Sequence, residues 1–106
     1  MANIIPFSFR GELFSGTHNF ANGGDAFKIA LYTSNPYSTS STAVSATNEV
    51  SSSGSSNYER KALGSQAVAS GTAVASVDFA DSTWASATFT AAFAAIYNDD
   101  KSDKLC

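Results

Sequence analysis

Histidine, cysteine and tryptophan occur once each in this 106-residue chain, and proline twice. Each shortage excludes something. One histidine, His18, cannot build a two-histidine metal site, and no His-Glu-x-x-His motif is present. One cysteine, Cys106, cannot close an internal disulfide, and at the last position its thiol is expected to be exposed. Charged residues make up only 14% of the chain, against a usual share of about 25%. The six cations are spread from Arg10 to Lys104. Such a distribution offers phosphates no basic patch, so nucleic-acid binding is not expected. No apolar run approaches the ~20 residues of a membrane-spanning helix. The opening residues, MANIIPFSFR, have neither the basic start nor the long apolar core of an export signal, and none is expected.

What is present points to a single small domain, residues 1–106, able to bury about two-thirds of its unfolded surface. Hydrophobic residues amount to 43%, but many are alanine, whose burial contributes little. Alanine and serine together form roughly a third of the chain, and the net charge is −3. A polar, weakly charged surface of this kind suits a protein that lies against neighbours.

The run Ala75 to Asn98, ASVDFADSTWASATFTAAFAAIYN, is the stretch around which the rest is arranged. Its first half, taken with the two residues before it, alternates Ala73, Ala75, Val77 and Phe79 with Val74, Ser76 and Asp78. Its second half alternates Phe89, Ala91, Phe93, Ala95 and Tyr97 with Thr88, Thr90, Ala92, Ala94 and Ile96. A period of two predicts a strand in each half. The connection, Ala80 to Ser86, is too long for a two-residue hairpin. It predicts a wider loop with Trp84 folded back and buried. Thr88 to Tyr97 carries no charge and no proline, so it reads as an interior strand whose edge needs a partner. The short tail Asn98 to Cys106 is expected to form a charged turn and no partner strand, so the isolated chain is expected to oligomerise or aggregate.

Earlier in the chain, Phe7 to His18 allows a short helix ending near Gly16. Asn19 to Asp25 reads as a turn, with Asn22-Gly23-Gly24 able to take positive φ. Ala26 to Thr33 is the clearest strand, with Phe27, Ile29 and Leu31 on one face and Lys28, Ala30 and Tyr32 on the other. Tyr37 to Asn57 offers only Tyr37, Val44 and Val50 as sizeable apolar groups. It reads either as a floppy surface loop or as an arm ordered against a partner subunit. Tyr58 to Leu63 predicts a brief strand or turn, and Gln66 to Ala69 a short strand.

Candidate chemistry is thin. His18 reads as a structural residue closing the N-terminal segment; no Gly-x-Ser-x-Gly elbow accompanies it. Asp99, Asp100 and Asp103 lack the spacing of a calcium loop and read as a solvated turn. Asp78 and Asp81 read as a solvent-facing residue and a turn cap, although the pair has the form of two acid–base carboxylates. No catalytic, cofactor-binding or metal-binding residue is assigned, and no cofactor is expected.

The order LFSGTHNF, GGDAFKIALYTS, TNEV, VDFADSTWASATFTA and AIYND resembles a family of small virion structural proteins of tailed bacteriophages, decoration-like or tail components. The matching segments are Leu13 to Phe20, Gly24 to Thr33 and Val77 to Trp84, and the likeness runs along nearly the whole chain. The region Tyr58 to Val68 departs from the pattern in being shorter and poorer in Gly and Thr. Similar chains also continue past Ser102–Leu105 into a further strand pair. The resemblance implies a non-enzymatic capsid decoration or cement subunit in the virion. Its partners would be the major capsid protein and copies of itself, with a tail or tail-fibre component as the alternative. The expected fold is an all-β sandwich or partly open barrel with a short N-terminal helix. A third reading, a carbohydrate-binding module, requires exposed platforms at Tyr32, Tyr37 and Tyr58.

Overall fold

The structure is a computed structural model and describes residues 3–106. One helix, α1 (Phe7–Phe14), opens the chain. Six strands follow among the described residues: β1 (Phe27–Tyr32), β2 (Lys61–Leu63), β3 (Ala67–Ser70), β4 (Ala75–Asp78), β5 (Phe93–Asn98) and β6 (Lys104–Leu105). The fold is β-rich, in two antiparallel sheets: a four-stranded sheet ordered β2-β1-β5-β6 and a separate hairpin, β3-β4.

Helix α1 starts at Pro6, whose fixed φ of −60° suits a helix entry. It ends in a Schellman motif: Thr17 N–H donates to the Glu12 carbonyl and Gly16 N–H to that of Leu13, with Gly16 at φ 72°. The turn before β1 needs glycine for a different reason. A Cβ on Gly24 would lie 2.6 Å from the Asn19 carbonyl oxygen, so only hydrogen fits there.

Strand β1 lies between β2 and β5 and is covered on both faces. The face expected to be apolar, Phe27, Ile29 and Leu31, does meet aromatic cover: Phe27 stacks on Phe20 at 4.2 Å and meets Phe79 at 6.0 Å. The opposite face is buried just as deeply. Ala30 and Tyr32 are fully inaccessible and join Ala95, Tyr97 and Leu105 in a core cluster.

Four expectations need correcting here. The second half of the Ala75–Asn98 run is a strand only from Phe93. Thr88 to Ala92 approaches as loop: Thr88 N–H donates to the Ser56 carbonyl, and Ala92 N–H meets the carbonyl of Tyr32, the last residue of β1, just before the ladder begins. The tail does form a strand. Ser102 and Asp103 both adopt left-handed backbone (φ 58° and 56°), which folds Lys104–Leu105 back onto Tyr97 and Asn98. Cys106 N–H continues that pairing on the Ile96 carbonyl, so the C-terminal end of β5 is not an open edge. The Cys106 thiol is half-buried, and burial pushes its pKa up to about 12. Trp84 is half-buried: its indole N–H donates to the Glu59 carbonyl at 2.7 Å and its ring meets the edge of Phe89 at 6.4 Å, leaving part of the ring in solvent.

The serine-rich segment Tyr37 to Asn57 is stitched to the sheet by the few large groups it has. Val50 is buried, and Tyr37 and Val44 pack against the core. The Tyr37 hydroxyl bonds that of Tyr32, accepts from Ser45 N–H at 2.9 Å and faces the Ser45 carbonyl. Beyond the end of β2, the segment takes over as neighbour of β1. Val50 N–H donates to Leu31, Thr33 N–H donates to Asn48, and Tyr32 bridges to Glu49. The edge of the central strand is thereby covered.

Candidate assembly surface

The sheet's polar groups are arranged to hold elements together. Arg60 binds Glu49 through two hydrogen bonds, Nε to Oε2 at 2.9 Å and Nη2 to Oε1 at 2.7 Å. Tyr58 donates its hydroxyl to Glu49 Oε2 at 2.6 Å and accepts from Leu31 N–H, and the Arg60 guanidinium lies over the Tyr97 ring. The Arg60 bonds, aided by Tyr58, hold the Glu49 carboxyl below the usual range. Burial, reinforced by Glu49, pushes the Tyr58 hydroxyl up to about 12. Burial together with the Tyr37 contact raises Tyr32 further still.

A second cluster ties α1 to the sheet. Asn98, fully buried, accepts from Asp100 N–H through Oδ1, so its Nδ2 must be the donor. That amide donates to His18 Nδ1 and to Asp25 Oδ2, each at 2.9 Å. His18 Nε2 then faces the Glu12 carboxylate at 3.4 Å, and Lys104 reaches the same carboxylate at 3.1 Å. Burial draws the Asp25 carboxyl upward, but the Asn19 N–H, Asn98 and Lys101 outweigh it and hold it below the usual range. His18 thus joins α1, the glycine turn and the end of β5. On the same side, Asp100 accepts from Ala26 N–H and Asp99 pairs with Lys28, which fixes the acidic turn against β1. Asp103 offers its carbonyl to Val44 N–H. Asp78 caps its own strand end by accepting from Phe79 N–H, and Asp81 lies exposed in the loop that follows.

With those groups engaged, the large apolar side chains left exposed among the described residues fall on two elements. The large hydrophobic residues exposed to solvent are Ile5, Phe7, Leu13 and Phe14, in or just before α1, and Val68, Val74 and Val77, in the β3-β4 hairpin. The inner side of α1 is engaged: Ser8 donates to the Ser41 carbonyl and Glu12 faces His18. Phe7 and Phe14, seven positions apart, therefore share the outer side. Phe14 is 93% exposed.

Among the described residues, the hairpin is tied to the rest of the fold at its base. Ala80 N–H donates to the Gly64 carbonyl, the buried Gln66 amide donates to the Asp25 carbonyl, and Phe79 packs on Phe20 and Phe27. Along its length every residue of β3 and β4 is exposed. The Val68–Val77 pair looks across at α1 over a groove of about 330 Å³ lined by Phe9, Leu13, Phe20 and Ala75. The groove continues into a hollow of about 340 Å³ floored by Phe79, Ile96 and Cys106. An isolated two-stranded hairpin is marginal in water, and a contiguous exposed apolar patch marks an interaction surface.

The platforms required for carbohydrate binding are not available. Tyr32 and Tyr58 are buried and Tyr37 is packed into the core, their hydroxyls consumed by the loop and by Glu49. This exposed apolar face was only partly readable beforehand. Val77 and Phe79 stood out as alternating residues, but nothing in the local pattern distinguished Phe14 as exposed from Phe9 as inward. No family model, no curated protein and no solved structure matches this chain.

Proposed function

We propose that this chain is a non-enzymatic structural subunit of a bacteriophage virion, a capsid decoration or cement protein that binds the major capsid lattice. The observation that supports the reading is the confinement of exposed large apolar side chains to α1 and the hairpin, beside a body whose buried polar groups serve to fix its shape. A small domain that leaves such a face open gains stability by docking. In this reading the two sheets are the open halves of a small sandwich or partly open barrel, closed on assembly. The resemblance carried by the Gly24–Thr33 and Val77–Trp84 segments is what favours the virion as the compartment in this reading. Quantitative mass spectrometry of purified particles tests it. Hundreds of copies per virion are expected of a decoration subunit; tens or fewer would move the chain to the tail, and absence from particles would overturn the virion reading.

A further inference from the structure

We infer that the groove between α1 and the β3-β4 hairpin is the seam of a two-fold homodimer, in which Phe14 of each copy seats in the groove of the other. The inference rests on reading this face as an assembly surface and commits to a second copy of this chain as its occupant.

Three observations favour that occupant. The chain carries both halves of the contact side by side. Phe14 projects at 93% exposure, and its neighbour Leu13 lines the adjoining groove with Phe9, Phe20, Val68 and Val77. A knob next to its own complementary hollow is what an isologous interface requires, since the same patch must meet itself. Charge points the same way. The whole chain carries −3, so self-contact is favoured where like charges are not brought together. The hairpin strands hold one charge, Asp78, and the outer side of α1 holds one, Arg10, of opposite sign; Glu12 is turned inward to His18 and Lys104. Helix against hairpin therefore meets no like-charge conflict. Size is the third. Six large apolar side chains stand exposed on the two elements, an apolar core of the kind that a standard interface of roughly 800 Å² per partner is built around. Seating also covers Val68 and Val77, giving the hairpin the apolar cover it lacks in the single chain.

Sedimentation velocity on the full chain at micromolar concentrations tests this, alongside three variants. The wild type is expected to run as a dimer of the 11.0 kDa chain. Phe14→Lys and Val68→Asp should each give monomers with unchanged circular dichroism, because both side chains already stand in solvent. The double variant, which places a cation opposite an anion at both symmetric contacts, should recover the dimer. A monomeric wild type, single variants that remain dimeric, a ring of three or more copies, or a double variant that stays monomeric while the singles dissociate would each overturn the reciprocal seating. Copy number in the virion is measured separately, so a failed seam and a failed virion assignment are distinguishable.

Discussion

The four-stranded sheet and the β3-β4 hairpin are both antiparallel ladders, yet the central strands of one are largely buried and every residue of the other is exposed. The difference lies in what each brings to its cross-strand neighbours. Strands β1 and β5 contribute Phe27, Tyr32, Tyr97 and Asn98, whose side chains fill space and whose polar ends find partners. The hairpin strands contribute alanine, serine, two valines and one aspartate, which satisfy a ladder but bury little. Strand propensity gives both regions the same backbone; side-chain volume decides which becomes a core.

The largest effect should come from the sheet. Phe27→Ala removes a fully buried ring stacked on Phe20 and should cost about 3–5 kcal/mol in urea unfolding. A loss below about 1 kcal/mol would place the protein's stability elsewhere.

Next comes the Glu49 network. Glu49→Gln strands the Arg60 guanidinium and removes the acceptor of Tyr58, at a cost of about 1–3 kcal/mol at neutral pH. Because the folded-state pKa of Glu49 is lowered, its contribution is complete above the unfolded value and is lost as pH falls through the folded one. The wild type should therefore weaken on acidification below about pH 4, and the variant should show a shallower acid limb. Parallel acid limbs in the two proteins would remove Glu49 from the account.

Trp84→Ala should cost about 1–2 kcal/mol, less than a fully buried ring, because the loss is one hydrogen bond to Glu59 and one edge contact with Phe89. Trp84 emission should lie between the buried and the exposed extremes. A fully blue-shifted maximum would mean that the loop closes completely over the indole.

The smallest effect belongs to the hairpin. In the dissociated Phe14→Lys background, Val77→Ser should change stability by less than about 0.5 kcal/mol. Hairpin amides should exchange far faster than those of β1 and β5. Equal protection in both regions would erase the contrast between them.

Much of the sheet was legible beforehand because its signals are local. Period-two patterning marked β1, and the glycine at the end of α1 marked the helix stop. The three anchors of the serine-rich segment, Tyr37, Val44 and Val50, are the only large apolar groups it has. The rest depended on contacts between distant residues. Strand β6 was hidden because it is reached through a 3-10 turn, Asp99–Lys101, followed by two left-handed residues, Ser102 and Asp103, a combination that no local pattern in the acidic tail marks. Trp84 was placed too deep because a large ring between two apolar runs usually anchors a core, whereas here the second run starts later and the loop stays wide. The His18–Asn98–Asp25 cluster spans most of the chain, and no spacing rule connects its members.

The β1–β5 pairing also bears on how quickly the native state is reached. Tyr32 and Phe93, partners in the register, are separated by roughly sixty residues of chain. Closing a flexible loop of that length costs about 3–4 kcal/mol of entropy before the first contact is made. The β3-β4 hairpin closes over a few residues and can form within about 1–10 μs. The order of formation is then the reverse of the order of final stability. The weakly held hairpin arises early and repeatedly, and the sheet that fixes the structure arises late, on the slower timescale of folds dominated by distant pairings. During that interval the apolar side chains of α1 and the hairpin are already on display, so premature association competes with productive folding most strongly at high chain concentration.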